Sequence, residues 1–568
     1  MSSHNQPINR VQLSYDGVQE SKSSAISLDM YTVKFNCCRN IYPLLCIKPY
    51  NRYKFNEQFY LKSVVTELNE NNITIEDAIC DNPKRSVLRS ALSHSSLYAC
   101  EYCESSAESY INEEIAHSVQ ATHLKIENQI KKIDEEIEYL RTSPGSTHRK
   151  QMDEDQINLL HEFKNELVTK SKMERNKIKI KHLVWPVNTV NGQARTMNAI
   201  IDISRAITTG RNSDEESEEL TREERKGIVG PSVFLHQPNF NMINNIPAEY
   251  MHLACLGIVR RLLELTFSVG EKRDRRIKRK LGPPSLYNKL IANARVPHEF
   301  SRRGRHLDLS VMKAQEMRNI ALFFFPLILQ CFKYESNESE HHIWLLLGFI
   351  LRACVIPDDE FMLIDSAFIT QCTHRFYTLF QNVYGKTNCS YSVHVFCSHL
   401  LQIRGNVPLT FRSAFPFESF YGEMKNSFCP GTQSTLKQIL RNVIMKRCVE
   451  THVCEKSIHF KPDRKPKNGQ KPKLTKECND LVYTFQSPLY NFFKIMSIND
   501  DDDFVCSRIG KYQANFPLPE IDWSTVGVFR LGPISCDTVI LHRNALSGKL
   551  IKIGKYVMTC PMNILREK

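Results

Sequence analysis

Residues 10–81 most constrain the fold, because they contain three strand-like segments, an amphipathic segment and a fourth strand-like segment in that order. The first three are RVQLSYDGV, LDMYTVKFNCC and IYPLLCIKPY, which have the alternation and composition of β-strands. Residues 55–70 place apolar side chains at helical spacing, and ITIEDAIC then predicts a strand that Asp81 follows directly. Pro83 suits the first turn of the next predicted helix. The order βββαβ predicts an α/β domain with Asp16 and Asp81 at strand ends.

A helical hairpin is predicted across residues 105–180. Apolar residues recur at steps of four and three and are followed, after SPGS at 143–146, by a weaker return arm; the two sets are Ile126, Ile130, Ile133, Ile137 and Leu140, and Leu160, Phe163 and Leu167. Packing of the two arms on each other is favoured over the alternative, a dimerisation arm. KIKHLVWPVN, near residue 185, predicts a strand that we assign to the first domain, at 181–188.

The remaining chain divides into four regions. Residues 189–390 predict an all-α region whose apolar runs, Ile320–Leu329 and Ile343–Leu351, are too short to cross a bilayer, so no membrane association is expected. Its cluster KRDRRIKRK at 272–280 fits a solvated surface, a nuclear-import signal or phosphate contacts. Residues 391–450 contain the His and Glu motifs discussed below, residues 451–480 are a Lys- and Pro-rich linker, and residues 481–568 are a small β-rich domain.

The composition limits the environment more than the partner. The net charge of +13 permits a polyanionic partner but does not identify one. The first ten residues have no apolar stretch, so no signal peptide is expected. The 19 cysteines are therefore expected to be reduced thiols, some of them available as metal ligands.

Candidate functional residues fall into five motifs. Each has an ordinary structural explanation, since an Asp at a strand end is usually a turn or cap residue and two histidines five positions apart are commonly just packed. A single CxxC is more often neither a metal half-site nor a redox pair, and a helical Glu is commonly a surface residue. The motifs are LSYDG with Asp16, AICDNPKR with Asp81, CEYC with Cys100 and Cys103, SVHVFCSHL with His394 and His399, and AFPFESFYGEMK with Glu418.

Taken together, the motifs resemble the eukaryotic DDE transposases of the CACTA (En/Spm) group, whose layout is shared with the Transib-like V(D)J recombinase. The shared order is Asp, Asp, CxxC, HxxxxH, Glu. The step from Asp81 to Cys100 is 100 − 81 = 19, and that from His399 to Glu418 is 418 − 399 = 19, both similar to the steps in that group. The resemblance covers roughly residues 10–450.

The resemblance implies an RNase H-like catalytic core split by a large all-α insertion, with residues 1–104 as its first part and 391–450 as its last. It implies that Asp16, Asp81 and Glu418 hold two Mg²⁺ (or Mn²⁺) ions for cutting and joining DNA. Hard divalent cations prefer oxygen ligands, and two of them can activate the nucleophile and stabilise the leaving oxygen. We expect the three Cα atoms to lie within about 10 Å, a spread that two metals can bridge.

The Cys and His pairs of the resemblance imply a structural zinc site. Two thiolates and two imidazoles form a closed tetrahedral Zn²⁺ set, at bonds of about 2.0–2.3 Å; the four residues are Cys100, Cys103, His394 and His399. Such a zinc joins the two halves of the core across nearly 300 residues. Cys397, which lies between the histidines, is interpreted as a core residue.

One motif departs from the group's pattern, which has Asp-x-x-His where this chain has Glu249-Tyr-Met-His252. Glu249 is therefore a rival third carboxylate, although Glu418 is preferred. The group also usually has a DNA-binding module upstream of the first Asp, and none is recognisable before Asp16.

The functional expectation is a nuclear transposase that acts on transposon ends and target DNA, as a homodimer. A domesticated, catalytically silent DNA- or chromatin-binding protein is the alternative, and a zinc-stabilised helical scaffold without catalytic function is a third hypothesis.

Overall fold

The computed structural model describes residues 10–19, 27–35, 41–47, 57–110, 113–142, 154, 157–169, 182–187, 192–212, 220–267, 284–294, 296–300, 304–333, 336–426, 438, 441, 480–499, 503–553, 555–561 and 564. The chain divides into two compact units, one formed by residues 1–106 and 186–568 and the other by 107–185. The basic cluster at 272–280 and residues 451–479 of the predicted linker lie outside the described residues.

The N-terminal part of the first unit is a four-stranded sheet in the order β3-β2-β1-β4. Its strands are β1 (Arg10–Gln19), β2 (Ser27–Phe35), β3 (Ile41–Ile47) and β4 (Thr74–Ala78). β1, β2 and β3 are antiparallel neighbours, whereas β4 runs parallel to β1. Helix α1 (Glu57–Glu70) precedes β4, and α2 (Asn82–Arg89) follows it. The predicted order of three strands, a helix and a fourth strand is confirmed.

The second unit contains the predicted helical hairpin. It consists of β5 (Glu108–Tyr110), α3 (Glu113–Thr142), α4 (157–169) and β6 (His182–Val184). The apolar seam packs between the arms, as predicted, and its buried members are Ile126, Ile133, Ile137 and Leu167. Phe163 was predicted to belong to the return arm's seam, but its side chain is 51% exposed. Leu160 and Ile157 pack against the buried cluster in its place.

The strand predicted near residue 185 has a different partner from the one expected. β6 pairs antiparallel with β5, with Leu183 opposite Ser109, and not with the four-stranded sheet. The assignment of this strand to the first domain is therefore wrong. The physical reason is that the three-residue β5 offers a free strand edge in the same unit, and sequence alternation predicts a strand without predicting its partner.

The rest of the first unit up to residue 426 is helical, as predicted for 189–390. Helix α8 is π-helical at Met251–Val259 and α-helical at Arg260–Thr266, and a second π-helical segment, Ile320–Phe324, joins α10 to α11. The other helices are α5 (Met197–Asn212), α6 (Arg222–Arg225), α7 (Met242–Asn245), α9 (Ser285–Ile291), α10 (Ala314–Asn319), α11 (Phe325–Leu329), α12 (Glu338–Val355), α13 (Asp358–Phe361), α14 (Ser366–Tyr384), α15 (Tyr391–Arg404) and α16 (Phe415–Asn426). Among the helices that the structure describes, none is long and apolar enough to cross a membrane.

The β-rich region predicted at 481–568 is a closed six-stranded barrel in the order β10-β12-β11-β7-β8-β9. Its strands are β7 (Leu481–Gln486), β8 (Leu489–Ile498), β9 (Phe504–Gln513), β10 (Val528–Leu541), β11 (Gly548–Ile553) and β12 (Tyr556–Pro561).

The barrel shares a core with the helices. The buried guanidinium of Arg352, on α12, donates hydrogen bonds to the carbonyls of Val526 (2.8 Å), Thr559 (3.0 Å) and Leu322 (3.0 Å). Lys549, on β11, forms a buried ion pair with Glu299 at 2.8 Å. These contacts make the barrel an integral part of the first unit, which contrasts with the separate small domain predicted from the sequence.

Candidate active site and metal centre

Asp16 and Asp81 lie toward the same end of the β1–β4 strand pair. Leu13 of β1 is paired with Ala78 of the parallel strand β4, and the Leu13 carbonyl accepts the N–H of Ile79 at 2.7 Å. Each aspartate comes three residues after its strand's member of that pair. Asp81 follows the end of β4, as predicted, but Asp16 lies inside β1, because β1 continues to Gln19 in its pairing with β2 and Asp16 is opposite Met30. Because the two strands are parallel, both aspartates are displaced toward the carboxyl end of the pair.

Asp81 is also the N-cap of α2. Its carboxylate oxygen Oδ1 accepts the backbone N–H of Lys84 at 3.0 Å, and Pro83 occupies the first turn. The ordinary explanation of this aspartate as a cap residue is therefore correct, and it does not exclude a second role. The cap hydrogen bond fixes the position of the carboxylate at the end of β4.

Glu418 reaches the same region from helix α16, which packs on β1. The hydroxyl of Tyr421 lies 3.2 Å from Ser14 Oγ on β1 and 2.9 Å from Thr32 Oγ1 on β2. Ser14 and Asp16 lie on the same face of β1, since side chains alternate along a strand. Glu418 is three residues before Tyr421, on the same side of the helix. The contact thus brings Glu418 over the strand that carries Asp16.

The electrostatics agree with this proximity. Burial, together with the negative charges of Asp81 and Asp16, raises the pKa of the Cys80 thiol to about 12. Partial burial raises the pKa of Glu418. The negative charges of Glu249 and Asp81 also raise this pKa, whereas the positive charge of His252 lowers it. The Glu418 side chain remains exposed on its solvent side. The carboxylates therefore act on one another in an open, solvent-accessible site.

Glu249, the rival third carboxylate, is occupied by other contacts. It is fully buried, and its two oxygens accept the backbone N–H groups of Met251 (2.7 Å), His252 (2.5 Å) and Ala414 (2.9 Å), together with a short hydrogen bond from His252 Nδ1. A carboxylate that already accepts four N–H groups has no free lone pair of suitable geometry for a metal. The geometry therefore favours Glu418 as the third carboxylate.

His252, the hydrogen-bond partner of Glu249, also interacts electrostatically with Glu418 and Asp81. Burial lowers its pKa, but the hydrogen bond and charge of Glu249 and the charges of Glu418 and Asp81 raise it to about 9. The imidazole is 29% exposed and is positively charged at neutral pH. A cation held by Glu249 thus lies beside the carboxylates, where sequence reasoning had identified only a variant of a family signature.

The four residues predicted to bind zinc are brought together. Their ligand atoms all lie within 4.8 Å of one another. Cys100 Sγ is 3.4 Å from His399 Nε2, Cys103 Sγ is 3.5 Å from His394 Nε2, and the two sulfurs are 3.5 Å apart. A tetrahedral zinc with bonds of about 2.0–2.3 Å spaces its ligand atoms by roughly 3.3–3.8 Å. The cluster can therefore bind a metal such as zinc.

The protonation of the two thiols also suits a cation. The hydrogen bond with Cys100 lowers the pKa of Cys103, and those with His394 and His399 lower it further. Burial raises the pKa of Cys100. One thiolate is thus already favoured, and a divalent cation would favour the second by replacing its proton.

Two arginines that sequence analysis missed support this centre. Arg195 Nε donates to the carbonyls of Cys100 (2.8 Å) and Cys103 (3.1 Å) and so holds the CxxC turn. Arg85 donates to Glu101 Oε1 through Nε (3.0 Å) and Nη2 (2.6 Å). Burial raises the pKa of Glu101, but the charges of Arg85 and Arg89 together lower it to about 2.

The Arg85–Glu101 pair joins the two sites. Arg85 lies one turn after Asp81 on α2, and Glu101 lies between the two cysteines. The charged residue Glu101 inside CEYC was the only sign of this pair in the sequence. Nothing in the sequence indicated that Arg195 supports the CxxC turn.

No protein-family model matches this chain, and no curated protein matches it. The functional assignment therefore depends on the residues and their geometry.

Proposed function

We propose that this protein is a DDE-type transposase that cuts and joins DNA with two divalent metal ions held in an RNase H-like core. The observation that carries the proposal is the placement of three carboxylates on separate elements around one strand pair. Asp16 lies on β1, Asp81 follows the parallel strand β4, and Glu418 lies on a helix that packs on β1. The sheet order β3-β2-β1-β4, with only β4 parallel to β1, supports the RNase H-like assignment.

The donor set fits Mg²⁺ or Mn²⁺. Carboxylate oxygens are the ligands that hard divalent cations prefer, and substrate phosphate oxygens and water would complete the coordination. In this proposal Asp16, Asp81 and Glu418 would together hold the two ions. When bound, the metals activate the attacking water or 3′-OH and stabilise the leaving oxygen.

The chain's other residues organise this site. Asp81 is fixed by its cap hydrogen bond to Lys84, and Glu418 is fixed by the contacts of Tyr421 with the sheet. His252, held by Glu249, adds a positive charge near Asp81 and Glu418, and such a charge would favour an anionic substrate. A structural zinc at the Cys100–His399 cluster would join the segment after Asp81 to the helix before Glu418.

The remaining functional expectations follow from this substrate. DNA transposon ends and target DNA are the proposed partners, the nucleus the proposed location and a homodimer the proposed assembly. The contrasting function is a catalytically silent protein that keeps the same fold and binds DNA, and the next experiment distinguishes the two.

The test is nicking of supercoiled plasmid DNA and strand transfer in Mg²⁺ or Mn²⁺. Asp81→Asn is preferred to alanine because asparagine retains the N-cap of α2. Glu418→Gln is compared with Glu423→Gln, a matched change of an exposed carboxylate on the same helix. We expect wild type and Glu423→Gln to cut DNA, and the other two variants to lose at least about 100-fold in rate, since even indirect support of a metal site contributes 10–100-fold.

Equal metal-dependent activity in wild type and Glu418→Gln would refute this assignment of the site. DNA binding without metal-dependent cutting in any variant would instead identify the catalytically silent protein.

A further inference from the structure

The barrel carries a strip of basic residues around Arg530 that the proposed active site does not use. Arg530 of β10 is paired with Tyr512 of β9 on one side and with Tyr556 of β12 on the other. Arg508 lies four residues before Tyr512 on β9 and so on the same face, and Lys555 Nζ lies 5.3 Å from the centroid of the Tyr556 ring. Lys511 and Lys552 are on the opposite face, which packs on the barrel core, since they are paired with Leu531 and Val557. We define the basic strip as Arg508, Arg530 and Lys555, together with Tyr512.

The charge of this strip is not neutralised locally. Asp537, on β10, is the one carboxylate on strands β9 to β12, and it accepts a hydrogen bond from Ser535 Oγ at 2.8 Å. Among the residues that the structure describes, the ion pairs of the barrel join Lys494 to Asp480, His542 to Asp503 and Lys549 to Glu299, and none includes Arg508, Arg530 or Lys555. A concentration of one sign of charge on neighbouring strands favours a polyanionic partner.

The shape of the strip suits a partner that approaches the strands closely. Gly510 and Gly532 lie on neighbouring strands, and a Cβ on Gly532 would come within 2.6 Å of the Gly510 backbone. Because glycine has no side chain, nothing projects from these two positions between Arg508 and Arg530. The adjacent Tyr512 ring is 56% exposed, and an exposed aromatic ring among cations can stack on an unpaired base.

We infer that the basic strip binds the sugar–phosphate backbone of DNA, with Tyr512 stacking on a base where the strand is unpaired. The charge and shape of the strip indicate a polyanionic partner. That this polyanion is DNA rests on the proposed function. Phosphates on single-stranded and duplex DNA are the same ligand chemistry, so the two forms are separate arms of the test.

The test measures binding of full-length protein to a labelled oligonucleotide by fluorescence anisotropy over a range of salt concentrations. Ca²⁺ replaces Mg²⁺, so that the DNA is not cut and no chelator removes zinc. The strip variant carries Arg508→Ala, Arg530→Ala and Lys555→Ala, which are all exposed positions. The control variant removes three exposed cations elsewhere in the same unit: Lys62→Ala, Arg222→Ala and Lys289→Ala.

We expect the strip variant to bind both DNA forms about tenfold or more weakly at low salt, and its log–log salt slope to fall by roughly 2–3 for duplex DNA. The control variant should match wild type. Tyr512→Ala should weaken single-stranded binding by about fivefold to a hundredfold, with a smaller effect on duplex, while Tyr512→Phe should bind normally.

Unchanged affinity and salt slope in the strip variant would overturn the inference. So would loss of binding to polyglutamate with unchanged binding to DNA, since that pattern identifies an acidic protein as the partner. The nicking assay separates this inference from the proposed function. Weaker binding by the strip variant in a protein that never cuts DNA supports the strip alone, and cutting with unaltered binding supports the active site alone.

Discussion

The buried carboxylate of Glu249 accepts a hydrogen bond from the backbone N–H of Ala414, at 2.9 Å. Ala414 immediately precedes helix α16, and its carbonyl accepts the N–H of Glu418 at 2.8 Å. Glu249 therefore ties helix α8 to the start of the helix that carries the proposed third metal ligand. Glu249 can thus support the proposed site by positioning the start of α16, without touching a metal.

This relationship predicts different effects for two glutamate substitutions. Glu418→Gln should abolish Mn²⁺ binding at the carboxylate site, whereas Glu249→Gln should retain it while lowering DNA cutting by about 10–100-fold, as expected for an indirect support. Isothermal titration with Mn²⁺ in the presence of uncleaved DNA measures the first effect, and plasmid nicking measures the second. The reverse pattern would make Glu249 the third ligand.

The Cys100–His399 cluster predicts one bound zinc per chain. Cys100→Ser should lose the metal, because one of four ligands is removed, and should lower the melting temperature. Cys397→Ser is the matched control, since Cys397 is a buried cysteine on the same helix as the two histidines but is outside the cluster. Metal content of the purified proteins by mass spectrometry tests this. Zinc retained by Cys100→Ser and lost by Cys397→Ser would refute the ligand assignment.

Local patterns predicted the fold where neighbouring residues decide it. Alternation predicted β1 to β4, and the spacing of Ile126 to Ile137 predicted the hairpin. The partner of β6 could not be predicted, because pairing with β5 depends on where distant segments meet. For the same reason, no pattern in the sequence indicated that Arg352 joins the barrel to the helices.

The candidate site divides in the same way. The convergence of the Cys and His pairs was predicted from the family resemblance, and the structure brings the four side chains together. The occupation of Glu249 by four N–H groups and the support of the CxxC turn by Arg195 depend on three-dimensional contacts, and no sequence spacing encodes either.

The buried Lys549–Glu299 ion pair predicts a non-additive pair of substitutions. Lys549→Met leaves the Glu299 carboxylate buried without its cation and should lower the free energy of unfolding by about 3–5 kcal/mol. The double variant Lys549→Met/Glu299→Leu should recover much of this loss, because neither charge then remains buried. Thermal and denaturant unfolding of the four proteins complete the double-mutant cycle. Additive losses would show that the pair is not coupled.

Burial of the Glu360 carboxyl, which accepts a hydrogen bond from the Tyr490 hydroxyl, predicts a pH dependence of stability. Burial raises the pKa of Glu360 to about 7, above its usual value, so the protonated carboxyl is the form that the folded protein favours. The stability from this group is fully present below about pH 4.5 and is lost as the pH rises through about 7.

Glu360→Gln removes this titration. Relative to wild type, the variant should gain about 1–3 kcal/mol in free energy of unfolding between pH 5 and pH 8. Unfolding at the two pH values measures the difference. Asp359→Asn, a change of the adjacent carboxylate, is the control and should show a smaller change. A constant difference between wild type and Glu360→Gln would contradict the expected titration.

The Cys100–His399 cluster also has a consequence for biosynthesis. Cys103 and His394 are 291 residues apart in sequence, and a ribosome that adds about 5–20 residues per second needs roughly 15–60 s to make the chain between them. During that interval the two thiols are made but their imidazole partners are not. The nascent chain must therefore protect a pair of free thiols, from oxidation or from the wrong metal, until translation is more than two-thirds complete.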